Sequence, residues 1–394
     1  MTNSYTSAAD FTRALTDQLV CQGAIRTSEW DQAFAAVPRH LFVPRWYEQS
    51  TDDRGIAVWN ERDHTDPHGP WLEAVYSDTT LVTALDPATA VRVGPRAWTG
   101  VATSSSTQPS LMAGMLEELR VDDGHHILEI GTGTGYNTAL LCARLGDKLV
   151  RSIDIDPALV DAARKHLALV GFTPALAVGD GRDAYPGSRL LFDRIIATCS
   201  ITRLPEAWIT QTRPGGLILT DLDLGIAGGL VRFRPHHDGT VQGHFTTTTG
   251  AFMPARDHPR IYDQTNDRPQ RLPASHHRPT TVTADAIRET YPFRLLLAFA
   301  LPRAELVYHC DDNGFWSIQL QTADGAWARV PLGEAASQVA EGGDGRLWRT
   351  VENTWAWWNQ HGRPEPDAFT VIRADDGRMH ARHLPTSQVW DLGA

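Results

Sequence analysis

Three glycines at alternate positions follow a short apolar run near the first third of this 394-residue chain. Residues 127–130 form the apolar run, and Gly131, Gly133 and Gly135 come directly after it. Glycine allows tight backbone turns that larger residues resist. A helix that begins after the third glycine directs its free N–H groups at the space above the strand. The spacing therefore predicts a strand, a glycine turn and a helix that together bind a ligand.

The spacing of the glycines also narrows the choice of ligand. A dinucleotide-binding G-x-G-x-x-G pattern needs a glycine where this chain has Tyr136. The pattern Glu129-x-Gly-x-Gly-x-Gly135 instead resembles motif I of class I S-adenosylmethionine (SAM) methyltransferases. This resemblance implies an α/β, Rossmann-like fold with a doubly wound, seven-stranded sheet. It also implies SAM as the cofactor, which leaves as S-adenosylhomocysteine.

Two later strands end in acidic residues, in the order that this resemblance requires. Residues 149–153 predict the second strand, and Asp154 follows where a carboxylate can hold both ribose hydroxyls. Residues 178–181 close a third strand, with Asp180 placed to meet the edge of adenine. The resemblance thus implies cofactor contacts from Glu129, Gly131, Thr132, Gly133, Gly135, Asp154, Ile155, Asp180, Gly181 and Thr198.

More strands are needed to complete the sheet in which the first three strands lie. Residues 191–198 and 217–220 predict the fourth and fifth strands. Residues 230–234 and 241–245 flank Asp238-Gly239, which is a hairpin signal. We expect this hairpin to bring the sheet to seven strands.

Two segments before the glycine turn resemble a more specific family. Val37-Pro-Arg-His-Leu-Phe-Val-Pro44 follows two predicted helices and is similar to the N-terminal segment of protein-L-isoaspartate O-methyltransferases. We assign it a structural role, as helix terminator and apolar anchor, and no chemistry. Val75-Tyr-Ser-Asp78 resembles the Tyr-x-Asp segment before the substrate loop of that family. Asp78 then either orients a substrate backbone or caps a helix or turn.

A run of hydroxyl side chains, residues 103–107, comes before Gln108-Pro109. In the resembled family an Ile-Ser-x-Pro sequence stands here, and its serine approaches the methyl-accepting carboxylate. Alignment puts Thr107 at that serine and Ser106 at the isoleucine. A hydroxyl before a helix is ordinarily an N-cap, but this run exceeds what one cap needs. We expect Ser105, Ser106 and Thr107 to align the acceptor. The expected substrate-binding residues are Asp78, Ser104, Gln108, Cys199 and Ser200.

Composition excludes several classes of protein. The chain has 36 basic and 47 acidic residues and a net charge of -11, which argues against a general nucleic-acid binder. The N-terminus carries no signal pattern, and the apolar run 295–301 is far shorter than the ~20 residues that span a membrane. Neither the four separated cysteines nor the histidine pairs have metal-ligand spacing. We expect a cytoplasmic protein without metal, nucleic-acid or membrane partners.

The chain divides into four predicted segments. Residues 1–110 form an N-terminal helical and substrate-loop segment, 111–253 the SAM-binding core and 254–280 a connection. Residues 281–394 form a small α+β domain that holds seven of the thirteen tryptophans. Such aromatic density is typical either of a core or of a peptide-docking face. Residues 45–75 are interpreted as an insertion beside the substrate cleft.

The insertion and the C-terminal domain are interpreted as features that the protein-L-isoaspartate O-methyltransferases, which repair damaged proteins, lack. With the hydroxyl run and residues 196–200, they look like methyltransferases that serve ribosomally made peptides, the lanthipeptide and graspetide maturases. This resemblance implies a modified precursor peptide as partner. Its aspartate is esterified, cyclises to a succinimide and can hydrolyse to isoaspartate.

Two other hypotheses stay open at this stage. One is repair of isoaspartate in damaged proteins, and the other is a non-catalytic peptide-binding module on a degenerate methyltransferase fold. The sequence is compatible with aspartate or isoaspartate as the acceptor, and it leaves the oligomeric state open.

Overall fold

The computed structural model describes residues 7–52, 56–187, 191–257, 274–311, 314–333 and 337–393. Most of the predicted connection, 258–273, therefore lies outside the described residues. The chain forms two compact units. Unit 1 comprises Met1–Ser200, Pro205–Thr220 and Thr248–Tyr262, and unit 2 comprises Ile201–Leu204, Asp221–Thr247 and Asp263–Ala394. This division differs from the four predicted segments, because residues 221–247 belong with the C-terminal part of the chain.

The N-terminal part of unit 1, up to residue 106, contains helices and a six-stranded antiparallel sheet. Its helix α1 begins with a capping box between Ser7 and Asp10, as a polar N-cap favours. The sheet has the order β4-β5-β2-β1-β3-β6. The elements are α1 (Ala8–Cys21), α2 (Ser28–Ala36), β1 (Arg45–Thr51), β2 (Ala57–Asp63), α3 (His68–Val75), β3 (Leu81–Leu85), β4 (Val91–Gly94), β5 (Ala97–Thr99) and β6 (Ala102–Ser106).

This sheet gives the structure of two stretches that the sequence analysis described only as an insertion and a substrate loop. Residues 45–75 contain β1, β2 and α3, and residues 102–106 form an edge strand of the sheet rather than a loop. Small polar side chains give no alternation of apolar and polar positions, so residues 102–106 carry no strand signal of their own. Pairing with β3, about twenty residues earlier in the chain, supplies the extended conformation.

The remainder of unit 1 alternates helices with strands. Strands β10, β7, β8 and β9 pair side by side in parallel, with β11 beside β10. The predicted α/β fold and its first five strands are confirmed. The elements are α4 (Pro109–Glu118), β7 (Ile127–Ile130), α5 (Tyr136–Leu145), β8 (Val150–Asp154), α6 (Pro157–Leu169), β9 (Ala175–Val178), β10 (Phe192–Ile201), α7 (Glu206–Thr210) and β11 (Thr212–Asp223).

Unit 2 contains the hairpin predicted around Asp238-Gly239, which is confirmed. Further strands extend it in the antiparallel order β21-β20-β19-β13-β12, and a second antiparallel sheet has the order β14-β18-β17-β16-β15. The elements are β12 (Gly228–Pro235), β13 (Val241–Phe245), β14 (His276–Thr280), α8 (Ala284–Glu289), α9 (Tyr291–Ala300), β15 (Glu305–Cys310), β16 (Trp316–Gln321), β17 (Trp327–Pro331), β18 (Ser337–Gly342), α10 (Arg346–Gln360), β19 (Phe369–Arg373), β20 (Met379–His383) and β21 (Val389–Asp391).

Of the seven tryptophans in unit 2, three are buried and three more are partly buried. Trp327, Trp348 and Trp358 are buried, and Trp357 packs edge to face on Trp390 at 5.2 Å. Trp316 is the exception, since about half of it is exposed. The aromatic density of this region therefore mainly reflects core packing. Among the helices of the described residues, none is both long and apolar enough to cross a membrane.

Candidate active site

The glycine turn between β7 and α5 adopts a conformation that only glycine tolerates well. The φ angles of Gly131, Gly133 and Gly135 are 91°, 52° and 85°. A Cβ atom on Gly131 would lie 2.6 Å from the hydroxyl oxygen of Thr198. That hydroxyl donates to the Gly131 carbonyl at 2.8 Å and so supports the turn from β10.

The third glycine acts in packing rather than in the cavity described below. A Cβ atom on Gly135 would lie 3.1 Å from the Cβ of Ala163 in α6. Gly135 therefore lets α5 approach α6 closely. Gly133 has open space instead, and its nearest neighbour across that space is Ser104 Oγ, 3.7 Å from an added Cβ. The glycine turn and strand β6 consequently face each other.

Asp154 ends strand β8 and is held by the backbone around it. It is 8% exposed. One carboxylate oxygen accepts from Gly133 N at 2.8 Å and the other from Asp156 N at 3.1 Å. Burial raises the pKa of Asp154, and the two backbone donors and the Arg256 charge partly offset that rise. Each oxygen keeps a lone pair for a further donor.

Glu129 is fully buried at the end of β7. Its oxygens accept from Asn137 Nδ2 at 2.7 Å and from the Thr138 hydroxyl, both on α5. Burial raises the pKa of Glu129 to about 7 despite these hydrogen bonds. Glu129 thus joins the strand to the helix beneath the glycine turn, while it also lines the cavity.

Asp180 follows β9 and forms a bidentate pair with its near neighbour. Arg182 Nη2 lies 2.6 Å from one Asp180 oxygen, and Arg182 Nε lies 3.0 Å from the other. Burial alone would raise the pKa of Asp180, but the hydrogen bonds and charge of Arg182 lower it overall. The carboxylate expected to meet adenine is therefore partly occupied by an arginine.

These groups surround a cavity of about 340 Å³. This volume lies within the range of small-molecule sites, roughly 300–1,000 Å³. Most of the predicted site residues line it. They are Ser104, Ser105, Ser106, Thr107, Glu129, Gly131, Thr132, Gly133, Asp154, Ile155, Asp180, Gly181, Thr198 and Cys199.

Four predicted residues lie outside the lining, and the structure gives each another contact. Asp78 accepts from Ser110 N at 2.8 Å and so caps α4, which agrees with the capping alternative. Gln108 is the N-cap residue of α4, and its side-chain amide lies 3.4 Å from Asp78. Ser200 bonds residues 253–255 through its backbone, and Gly135 packs against α6.

Sequence reasoning missed the segment 251–256, which lines the cavity although it was divided between core and connection. Ser200 N donates to Met253 O at 3.0 Å, and Ala255 N donates to Ser200 O at 2.8 Å. Arg256 donates to the carbonyl of Thr103 in β6 at 2.9 Å. The segment has no periodic pattern of apolar residues, so only the apolar run 252–254 could have indicated that it lines a cavity.

The cavity fits a ligand with an amino-acid end and a ribose. Asn137 also lines it, and the Oδ1 atom of this residue is buried without a hydrogen-bond partner among the described residues. Such an oxygen accepts from any N–H or O–H donor, and an ammonium group is one of these. Gly131 and Gly133 leave room that a Cβ would fill, and Asp154 offers acceptors for hydroxyls. Fold and cavity define a class I SAM-dependent methyltransferase, with SAM as its cofactor.

Comparison with known proteins then gives the family. The protein-L-isoaspartate(D-aspartate) O-methyltransferase family model matches residues 75–259. Protein-L-isoaspartate O-methyltransferase 2 of Rhodopseudomonas palustris is 33% identical over 204 residues, which cover 51% of this chain and 86% of that relative. The chain belongs to this family of SAM-dependent protein carboxyl O-methyltransferases.

The similarity in sequence covers only part of some relatives. Protein-L-isoaspartate O-methyltransferase of Thermotoga maritima is 33% identical over 158 residues, and the match spans 40% of this chain and 45% of that protein. The acceptor and the partners of the whole chain are therefore not given by the family alone.

A solved structure of a protein-L-isoaspartate O-methyltransferase shows a similar fold over much more of the chain. It aligns with a TM-score of 0.51 and 19% identity over 94% of this chain and 98% of its own. An alignment of that length includes most of residues 281–394. The expectation that repair enzymes lack a C-terminal domain of this kind is thus wrong, and the domain does not separate the two substrate hypotheses.

The raised pKa of Glu129 predicts a pH-dependent stability. The folded state binds this proton more tightly than the unfolded state, so the stabilisation is full below pH 4.5 and is lost as pH rises through about 7. The contribution is about 3 kcal/mol. Glu129→Gln, whose amide cannot ionise, should flatten the unfolding free energy across this window in urea titrations. Parallel curves for variant and wild type would contradict the assignment.

Asp154 provides a direct test of cofactor binding. Asp154→Ala removes the carboxylate that would accept hydrogen bonds from the two ribose hydroxyls. S-adenosylhomocysteine binding should weaken by about 100-fold or more, because each charge-assisted hydrogen bond is worth roughly 1.5–3 kcal/mol. Isothermal titration measures this change. Asp156→Ala is the matched control: it removes only the α6 cap to Ala158 N and should lower stability by about 1 kcal/mol with binding retained. Equal affinities in both variants would remove Asp154 from the site.

Proposed function

We propose that the chain methylates an aspartate side-chain carboxylate in a ribosomally made, modified precursor peptide, of the lanthipeptide or graspetide kind. The observation that carries the carboxylate acceptor is the position of β6 across the cavity from Gly133. Ser104 lies nearest to that glycine, and Ser105, Ser106 and Thr107 share the same cavity. This strand offers hydroxyl donors, which can orient an anionic oxygen.

Such an acceptor requires little acid–base chemistry from the protein. An ordinary aspartate, with a pKa near 4, is ionised at neutral pH and already nucleophilic. SAM, when bound, would supply a methyl group activated by a positively charged sulfur; the carboxylate would become a neutral methyl ester, and S-adenosylhomocysteine would be the leaving group. The residues of β6 hold the oxygen in line, and segment 251–256 limits the access of water.

The ester then activates the peptide for cyclisation. The nitrogen of the following residue attacks the ester carbonyl, its proton is lost, and methanol leaves as the C–N bond closes a succinimide. Water can open this ring to isoaspartate. The departure from the family pattern supports an unusual acceptor, because Ser106 and Thr107 stand where an isoleucine and a serine are expected.

Repair of isoaspartate in damaged proteins is the second candidate. The names of the similar proteins favour it, and so does the solved structure that aligns over nearly the whole chain. Both candidates need the same cofactor and the same carboxylate chemistry. They differ in the acceptor alone, so the acceptor must be tested directly.

The test uses the full chain, SAM and three kinds of peptide, the third of them in two forms. One is a short isoaspartyl peptide, the second its aspartyl counterpart, and the third a cyclised precursor encoded near the gene, with its linear form as control. Mass spectrometry should show the cyclised peptide gain one methyl and then lose methanol. If the isoaspartyl peptide is methylated and the cyclised peptide is not, our proposal is wrong and repair of isoaspartate is the function.

Thr107 is expected to align the acceptor oxygen. Thr107→Ala should lower kcat roughly 10-fold or more, since a hydrogen bond to a charged group is worth about 1.5–3 kcal/mol. Thr107→Ser, which keeps the hydroxyl, should retain most of the rate. S-adenosylhomocysteine affinity should stay unchanged in both. If Thr107→Ala and Thr107→Ser have the same kcat, the Thr107 hydroxyl has no part in methyl transfer.

A further inference from the structure

Arg39 is a fully buried charged side chain near the site, and it belongs to the octapeptide to which we assigned no chemistry. It begins a short 3₁₀ helix, Arg39–Leu41, and is 0% exposed. Its described hydrogen bonds all go to carbonyl and hydroxyl oxygens rather than to a carboxylate. Burial lowers the pKa of Arg39 to about 10, so the guanidinium stays charged at neutral pH.

One side of this guanidinium holds the segment after α3. Nη1 donates to Val75 O at 2.8 Å and to Ser77 O at 2.9 Å. Nη2 donates to Thr79 O at 3.1 Å. Three carbonyl groups of residues 75–79 therefore converge on one cation, and the same segment provides Asp78, the cap of α4.

The other side reaches the end of strand β6. Nη2 lies 3.4 Å from both the carbonyl and the hydroxyl oxygen of Ser106, and 3.3 Å from the carbonyl of Thr107. Its two hydrogens are shared among four oxygens, which makes each of these contacts long. Arg39 thus joins residues 75–79 to the residues that face the methyl acceptor in the proposed function.

This network is costly to disturb. Removing a guanidinium from water is unfavourable unless enough acceptors surround it. If β6 moved away, the charge would lose up to three oxygens. The end of β6 is consequently held in place by the need to solvate Arg39.

We propose that Arg39 is a positioning residue for the methyl acceptor, because it ties residues 75–79 to the end of β6 and so fixes Ser106 and Thr107 beside the glycine turn. The proposal rests on the proposed function, in which these hydroxyls align a carboxylate. It concerns only the residues that would face the methyl acceptor, so the affinity for S-adenosylhomocysteine serves as an internal reference.

Arg39→Lys and Arg39→Gln test it together. Neither side chain can bridge both segments, so kcat/KM for the peptide should fall about 10-fold or more in each, as expected when a group that orients the acceptor is displaced. S-adenosylhomocysteine affinity should change less than about twofold, since a positioning defect at the acceptor leaves ground-state cofactor binding intact. If kcat/KM falls only in Arg39→Gln, the charge of Arg39 and not its bridging of the two segments is responsible, and the proposal is overturned.

Arg194→Lys is the matched control. Arg194 also donates to main-chain carbonyls, those of Leu119 and Arg120 at 2.8 Å, but it has no contact with β6 among its described hydrogen bonds. It should lose stability without losing turnover. An equal loss of kcat/KM in this control would reduce Arg39 to a general stabiliser and overturn the proposal.

Hydrogen exchange provides a readout that needs no activity. In both Arg39 variants, amides of residues 75–80 and 103–107 should lose protection together, while those of β7 keep theirs. Wild type that methylates no peptide would overturn the proposed function, whereas unchanged exchange in the variants would overturn the role of Arg39. If neither variant folds with saturating S-adenosylhomocysteine, Arg39 serves the fold alone and the proposal fails.

Discussion

The hydrogen bond from Gly133 N to the Asp154 carboxylate is the constraint on which the site depends. It joins the glycine turn after β7 to the end of β8, and it stabilises a buried negative charge that would otherwise be costly. The same glycine leaves space for β6 to approach. The hydrogen bond thus holds Asp154 at one wall of the cavity, and the absence of a side chain at Gly133 lets the hydroxyl groups of β6 lie opposite.

The sequence was sufficient where neighbouring residues determine the structure. The glycine turn is encoded by backbone conformations that other residues resist. Asp154 is the last residue of β8, and Asp180 lies two residues beyond the end of β9. Because parallel strands end at one edge of a sheet, their positions in the chain predict their proximity in space. The cavity therefore holds most of the predicted cofactor residues.

Contacts between distant segments explain what the sequence did not predict. Strand β6 is extended because it pairs with β3, and segment 251–256 is placed by two backbone bonds to Ser200. Main-chain bonds of this kind leave no trace in side-chain patterns. Arg39 is a similar case, since its partners are mostly carbonyl oxygens, which every residue carries. Its burial, and not its residue type, is the observation that led to the proposed role.

The interleaving of the two units has a consequence for how such a chain can evolve. Residues 221–247 belong to unit 2, yet the chain then returns to unit 1, where segment 251–256 lines the cavity. No single crossover between genes can exchange unit 2 and leave the cavity wall in place. Recombination would have to replace the hairpin and the C-terminal region in concert, so the two stretches are expected to be inherited as a pair.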